Sequence, residues 1–340
     1  MKKIIFLHLL LFSVLTTFSK NDSLEYYTDY SNQLLLKLGT VIKANKLEIE
    51  NTNSNQVAKF SPVGRTSLGV AFNYKWLGLG VAFGLPSASD SKYKYGETKR
   101  LDAQLNIYSK KFGIDVIFQN YNGYYLENPK ALAIWDKDYF PQLPKMQSAS
   151  LGVGGYYFFN NKKFSYKAAY VRNVVQNKSA GSFLLGGYYS LDYAGFEEGA
   201  YNQDTITSFI PKELPLELRD SFDIKAFASS TYGLSFGYTY TLVMKRWFIN
   251  ISLAPGFGAK NLRLFNSKGE NLSKSGTVSR ITLRTALGYN GDKFQIGFTL
   301  YSRTANITFE NYDIIPSTSN ARFFVAKRFN VKRKKASDIQ

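Results

Sequence analysis

The chain has 340 residues, with 43 Lys and Arg against 25 Asp and Glu for a formal net charge of +18; it has no Cys, one His, 25 Tyr and 27 Phe. The absence of Cys excludes a disulfide framework, thiolate metal sites, a Cys nucleophile and lipid attachment through Cys. A mean hydropathy of −0.23 excludes a polytopic helical membrane protein, which needs repeated apolar runs of about 20 residues.

Residues 1–19 read as a secretory signal peptide. Lys2 and Lys3 form the positive start, Ile4 to Val14 the apolar stretch, and Thr17 and Ser19 the small residues of a cleavage site. Cleavage there removes Lys2 and Lys3, lowering the net charge to +16, and removes His8, the only histidine. Without His or Cys there is no Ser-His-Asp or Cys-His machinery and none of the usual zinc, copper or non-haem iron ligand sets. Carboxylate-pair chemistry, Ser-Lys chemistry and oxygen-bound calcium remain. The expectation is no metal and no cofactor. Residues 20–32 read as a short periplasmic segment.

From residue 33 to 329 the chain reads as β-strands at period two. Leu68, Val70, Phe72 and Tyr74 alternate with Gly69, Ala71 and Asn73; Leu77, Leu79, Val81 and Phe83 alternate with Gly78, Gly80, Ala82 and Gly84. The pattern returns at 101–108, 232–241, 247–254, 281–288 and 294–301. A period of two puts each set on one face of a sheet. A soluble sandwich also alternates, but its polar face favours Lys, Glu and Thr. Here that face is Gly, Ala, Ser and Asn, which suits the crowded inside of a narrow closed barrel. Leu, Ile, Val and Phe, with Tyr and Trp towards strand ends, then form a lipid-facing band with aromatic girdles. The fold expected is an all-β, transmembrane, antiparallel up-and-down barrel of the bacterial outer membrane.

Tight turns are expected at Lys75-Trp76, Lys110-Lys111, 160–162, Lys245-Arg246 and 291–293, and longer connections at about 51–64, 86–98, 121–147, 258–275 and 305–318. Short periplasmic turns and long external loops are the usual asymmetry. Strands starting near 33, 65, 77, 99, 112, 148, 163, 182, 229, 246, 277, 293 and 320 number thirteen. Even parity therefore predicts twelve, with fourteen as the alternative. The parity conflict sits at Phe164–Arg172, Phe183–Tyr193 and Thr231–Leu242, which cannot all be successive spans unless 194–227 hides a strand, for example around Gln203–Phe209. Residues 195–223 hold seven carboxylates against Lys212 and Arg219. They read as a solvated external loop or as a loop that plugs the lumen. Residues 330–340 form a basic tail after a last strand in which Lys327 interrupts the apolar face of Phe323, Val325 and Phe329.

Phe164-Ser165-Tyr166-Lys167-Ala168-Ala169-Tyr170 and Lys178-Ser179-Ala180-Gly181-Ser182-Phe183-Leu184-Leu185-Gly186-Gly187 resemble the hallmark of a Bacteroidota outer-membrane β-barrel family, the domain-of-unknown-function family numbered 4421. Gly113-Ile114-Asp115, Tyr121 to Leu126 and Ala286 to Asn290 are similar to its other blocks. The resemblance implies an outer-membrane barrel without an assigned activity and supplies no catalytic residues.

The lumen-facing charges expected are Asp102, Asp115, Lys167, Arg280, Arg284 and Arg303. Arg280, Arg284 and Arg303 would form a positive strip giving a passive pore or transport barrel a preference for anionic solutes. The same residues could instead form an interior salt-bridge network with Asp102 and Asp115, in a structural or surface-interaction barrel with a filled lumen. An enzyme would have to use Asp102 with Asp115, or Ser179 and Ser182 with Lys178; the expectation is that the chain is not an enzyme. Ser179, Gly181, Ser182, Gly186 and Gly187 read as a backbone-bend motif where small residues admit a close neighbour. Expected partners are outer-membrane lipid and lipopolysaccharide, the barrel assembly machinery and an anionic small molecule, with no nucleic acid.

Overall fold

The structure is a computed structural model and describes residues 26–64, 66–75, 77–85, 89–196, 208–266 and 270–331. The signal peptide and most of the basic tail lie outside the described residues.

The strands are β1 (Tyr27–Asp29), β2 (Leu34–Asn51), β3 (Gln56–Ser61), β4 (Thr66–Tyr74), β5 (Leu77–Gly84), β6 (Lys99–Tyr108), β7 (Phe112–Leu126), β8 (Gln142–Phe158), β9 (Val174–Gln176), β10 (Ala180–Phe196), β11 (Ala226–Met244), β12 (Trp247–Phe265), β13 (Asn271–Asn290), β14 (Phe294–Phe309) and β15 (Tyr312–Phe329). Among the described residues four short helices join them: α1 (Ser89–Tyr95), α2 (Pro129–Leu132), α3 (Tyr166–Tyr170) and α4 (Leu216–Ser221). All pairings are antiparallel. β7, β8, β10, β11, β12, β13, β14 and β15 follow one another, β15 pairs with β2, and β3 links β2 back to β7, so ten strands close a ring.

Alternation is inverted relative to a soluble protein. Tyr232, Leu234, Phe236, Tyr238, Tyr240 and Leu242 point outward and are exposed, while Thr231, Ser235, Thr239 and Thr241 are buried inside. The same holds for outward Trp247, Ile249, Ile251 and Leu253 against inward Asn250, Ser252 and Ala254. A band of exposed apolar side chains around a closed ladder is the arrangement that lipid requires, because the ladder pairs the backbone N–H and C=O groups of its strands within the wall. No helix among the described residues is long and apolar enough to cross a membrane. The chain is an outer-membrane-type β-barrel.

Ring closure uses ten strands, not the twelve or fourteen anticipated. The reason lies in β2, whose 18 residues serve two partners. Its last five residues pair with β3 at Leu47↔Phe60 to Asn51↔Gln56, and its first half pairs with β4 at Leu35↔Asn73 to Ile42↔Thr66. β3 reaches β7 through Phe60↔Leu126 and Ser61↔Tyr125. Below this bridge, β4 and β5 extend from β2, β6 extends from β7, and no ladder joins β5 to β6.

The parity conflict dissolves at residues 159–179. The expected strand at Phe164–Arg172 is not one: Tyr166–Tyr170 is helical, with Tyr166, Ala168 and Ala169 buried. β8 therefore runs to the turn end, residues 159–179 fold back inside, and β10 returns. No further span in 194–227 is needed; most of the span suggested near 203–209 lies outside the described residues. A turn does form at 160–162, where the Lys163 and Phe164 N–H groups donate to the Asn160 carbonyl at 3.2 and 2.9 Å, but it leads into a long inward segment and not directly into the next wall strand. Conversely, the loop expected at 305–318 is mostly ladder, turning at Glu310-Asn311, and β12 and β13 run to Phe265 and Asn271 within the loop expected at 258–275. Strands continue past the apolar belt, which hydropathy alone does not reveal.

The ends of the ring are filled. At the turn end Phe164, Tyr166 and Ala180 pack on inward-facing Tyr108, Tyr156, Phe158 and Leu184. β9 pairs there with β1, so the described part of the segment read as a short periplasmic one is held at Tyr27↔Gln176 to Asp29↔Val174. At the loop end Phe209, Ile210, Leu214, Leu218, Phe222 and Ile224 pack on inward Leu47, Ile49, Tyr121, Leu262, Ile307 and Ile314. The described part of the acidic segment is therefore a plug with an apolar underside, not a solvated loop.

Candidate functional site: a charged lumen and a side cavity

Between the two plugs the inward side chains form stacked polar layers. Around the ring these come from alternate residues of each strand, so period two places the charges without further design.

The first layer centres on Asp115 of β7 and Arg284 of β13, which form an ion pair with side chains only 5% and 6% exposed. Asp115 also accepts hydrogen bonds from Tyr108 and Asn106, and Arg284 Nη1 donates to the Tyr108 hydroxyl at 2.7 Å. The Arg284 guanidinium lies 4.7 Å from the Tyr301 ring centroid. A buried pair needs such additional bonds to offset its desolvation.

In the second layer Arg303 of β14 lies 3.4 Å from Asp192 of β10. Arg303 also donates to Ser190 Oγ at 3.1 Å, and Ser150 donates to Asp192 at 2.7 Å. Arg280 stacks on Tyr188 at 4.4 Å and donates to Ser190 at 3.3 Å. Gly152 makes room: a Cβ there would lie 2.5 Å from Arg303 Nη1.

The third layer holds Asp102 of β6. Lys43 of β2 pairs with it at 2.5 Å, and Gln119 and Tyr121 donate to its other oxygen at 2.9 Å each. Arg322 of β15 donates to Gln104, and Asn320 donates to the same oxygen at 3.2 Å.

Of the six charges expected in the lumen, five are there. Lys167 is not: it lies in α3, on the segment that folds back at the turn end. Arg280, Arg284 and Arg303 do not form a bare positive strip, because Asp115 and Asp192 neutralise two of them. Asp102 and Asp115 are not a pair either. Asp115 stands opposite Asn106, four residues along β6 from Asp102, or about 13 Å at strand rise. Each carboxylate is held by its own cation.

The bend expected at Ser179–Gly187 is absent. β10 runs in continuous register with β11 from Ala180↔Thr241 to Ala194↔Phe227. The close approach is real, however: a Cβ on Gly181 would lie 2.3 Å from the Tyr238 hydroxyl, and one on Gly186 2.8 Å from the Gly155 carbonyl. Ser179 Oγ accepts from the Val243 N–H at 2.9 Å and Ser182 Oγ accepts from the Asn160 N–H at 3.0 Å. Both hydroxyls serve strand ends, and Lys178 lies over the Tyr26 ring instead of beside them.

Beside the layers a cavity of about 1030 Å³ opens where β4, β5 and β6 leave the ten-strand ring. Lys37, Arg100 and Arg322 border it, with Asp102 already bound to Lys43 and Glu97 paired with Lys92 at 3.0 Å. Lys37 Nζ sits 5.0 Å from the Phe324 ring centroid. Arg322 Nε is buried without a hydrogen-bond partner among the described residues, as are Nε and Nη1 of Arg172 and Nε and Nη2 of Arg328 nearer the turn end. Such orphaned donors are what an anion would satisfy. No cluster of three or more potential metal-ligating side chains occurs among the described residues.

Asp192, Lys37, Lys43 and Arg322 were missed from sequence, though the signal was present. Asp192 shares parity with Ser190 and Tyr188, Lys37 and Lys43 alternate with Leu36, Leu38 and Ile42, and Arg322 precedes outward Phe323. Arg172 has no such signal, because its place depends on the inward fold of 159–179.

At the loop end Lys46 donates to both oxygens of Glu127 at 3.0 and 2.9 Å, and Ser61 donates at 2.6 Å. Burial works to raise the Glu127 carboxyl, but the bonds from Lys46 and Ser61 prevail and hold it below its ordinary range.

Among solved structures, the chain is similar to the outer membrane protease OmpT from Escherichia coli at 7% identity, covering 89% of this chain and 98% of that one with a TM-score of 0.39. It is similar to the Pseudomonas putida toluene transporter TodX at 8% identity, 90% and 94% coverage and a TM-score of 0.27. It is also similar to Ail, the attachment invasion locus protein of Yersinia pestis, at 10% identity, 86% and 98% coverage and a TM-score of 0.23. Likenesses this loose carry nothing about what the chain binds or does. No curated protein matches. The family profile described as Domain of unknown function (DUF4421) matches residues 20–329, nearly the whole chain, and the protein belongs to that family.

Proposed function

We propose that this protein is a binding or transport barrel of the Gram-negative outer membrane that takes an anionic solute into its side cavity, and that it is neither an open passive pore nor an enzyme. The observation that carries this reading is the cavity of about 1030 Å³ bordered by Lys37, Arg100 and Arg322, with its carboxylates Asp102 and Glu97 already paired. Positive groups facing a sheltered space select anions. The plugs at both ends argue against free axial flow, and the neutralised pairs Arg284–Asp115 and Arg303–Asp192 argue against a charged central pore. Export by the signal peptide, insertion by the barrel assembly machinery and contact with lipid and lipopolysaccharide follow from the same reading; nucleic acid has no part in it.

The test is calorimetric titration of the protein in zwitterionic nanodiscs with phenyl phosphate. Saturable binding is expected. Arg322→Gln and Lys37→Gln each remove a charged donor, at about 1.5–3 kcal/mol, or roughly tenfold to a hundredfold in affinity. Absence of saturable binding, or an affinity in both variants equal to that of the native protein, would refute the assignment.

A further inference from the structure

We infer that the unzipped seam between β5 and β6 is a lateral portal, through which a single-chain anionic amphiphile passes between the bilayer and the cavity. This rests on the reading of the cavity as an anion site and adds a route and a chemical class.

The seam is an exception to the rest of the wall. Among the described residues β5 forms a ladder only with β4, and β6 only with β7. Unpaired strand edges are not tolerated against hydrocarbon, except where they border a filled or wetted cavity. Here a cavity lies directly behind them. Its lining includes outward-facing Leu79, Val81, Phe83 and Leu101 as well as inward-facing residues, so the space reaches through the wall to the lipid side. β3 limits the gap at the loop end by bridging β2 to β7. With both ends of the ring plugged, the seam is the way into the cavity that the described residues provide.

The inner surface beside the seam is built from small side chains. Inward Gly69, Ala71, Gly80, Ala82 and Gly84 leave a smooth floor, and Gly84 has only the Arg100 guanidinium within 4 Å of where a Cβ would stand. That floor accommodates an alkyl chain. Deeper in stand Lys37 and Arg322, the latter with its unpartnered Nε. An apolar rim in the bilayer, a smooth floor and cations at the far side match an amphiphile whose acidic head leads. A fully hydrophilic anion would gain nothing from the apolar rim. A second chain would have no counterpart, because one short seam, eight residues high on the β5 side, serves as the entrance.

The experiment uses the full chain in phosphatidylcholine nanodiscs and a dodecyl phosphate carrying a diazirine on its chain. The chain has no Cys, so Val81→Cys with Ala103→Cys places two unique outward thiols across the seam, to be stapled with a short bis-maleimide. Heat-modifiable gel mobility controls for folding. Labelling of β5, β6 and the 320–324 stretch is expected, reduced at least tenfold by the staple and by Arg322→Gln, and unaffected by adding the reagent to either single Cys variant. Dodecylphosphocholine, with the same chain and no net charge, should compete at least tenfold less well than unlabelled dodecyl phosphate. If phenyl phosphate binds and needs Arg322 but stapling leaves dodecyl phosphate labelling unchanged, the portal is wrong and the anion site stands. If neither ligand depends on Arg322, the anion site is wrong and the portal falls with it. Equal competition by dodecylphosphocholine would overturn the anionic class alone.

Discussion

Removing the Arg284 charge should be costly alone and nearly harmless together with its partner. Arg284→Met keeps the chain length and much of the contact with Tyr301, but leaves the Asp115 carboxylate 5% exposed with only Tyr108 and Asn106 to satisfy it. Breaking one side of a buried pair costs about 3–5 kcal/mol, whereas replacing both sides with apolar groups of similar volume is often close to neutral. Arg284→Met should therefore lower stability by about 3–5 kcal/mol. Arg284→Met with Asp115→Leu should stay within about 1–2 kcal/mol of the native protein, giving a coupling of several kcal/mol between sites in direct contact. Reversible urea unfolding in lipid vesicles, followed by tryptophan fluorescence and gel mobility, measures all four corners of the cycle. Additive costs, or a single variant that loses less than about 1 kcal/mol, would show that the pair does not hold this layer.

Three further outcomes follow from other parts of the barrel. Gly258→Ala puts a Cβ 2.0 Å from the Tyr232 carbonyl and should cost about 1–3 kcal/mol or more through forced separation of β11 and β12, whereas Gly276→Ala meets only flexible Lys260 Cε at 3.4 Å and should be tolerated in the same unfolding assay. Phe222→Ala opens a cavity under the loop-end plug; protease cleavage within 208–225 should rise severalfold while the barrel keeps its heat-modifiable mobility, and simultaneous loss of both would mean that the plug is part of the barrel core. Glu127 has a folded value below its ordinary one, so its contribution is full above the unfolded carboxyl range and is lost as pH falls through the folded value. Hydrogen-exchange protection factors at residues 59–61 and 126–128, corrected for intrinsic exchange, should fall between about pH 5 and pH 3, and Glu127→Gln should abolish that loss of protection.

The sequence exposed the wall of this protein better than its filling. Period-two patterns such as Leu234, Phe236, Tyr238 and Tyr240 report which residues meet lipid, because one face of a strand has one environment along its length. The same alternation carries Asp102, Asp115, Arg280, Arg284 and Arg303 on the face opposite the lipid-facing residues of their strands. What alternation cannot report is the partner across the lumen. Asp192 and Arg303 lie 111 residues apart and meet only because the ring closes. Residues 164–170 failed for a different reason: Phe164, Tyr166, Ala168 and Tyr170 also alternate, yet they belong to an inward helix whose burial comes from the strands around it. The split use of β2 left no local trace either, since its two partners are chosen by the hairpin to β3 and the bridge to β7. The seam, and hence the side cavity, is therefore a property of the ladder and not of any one segment.

Conductance across a planar bilayer separates a closed barrel from an open pore. The full chain, shown by heat-modifiable mobility to be inserted and folded, should give no steady open-channel steps in molar potassium chloride, because apolar plugs fill both ends of the ring. Stable ohmic steps from the native protein would contradict a closed, solute-binding barrel and show an open pore instead.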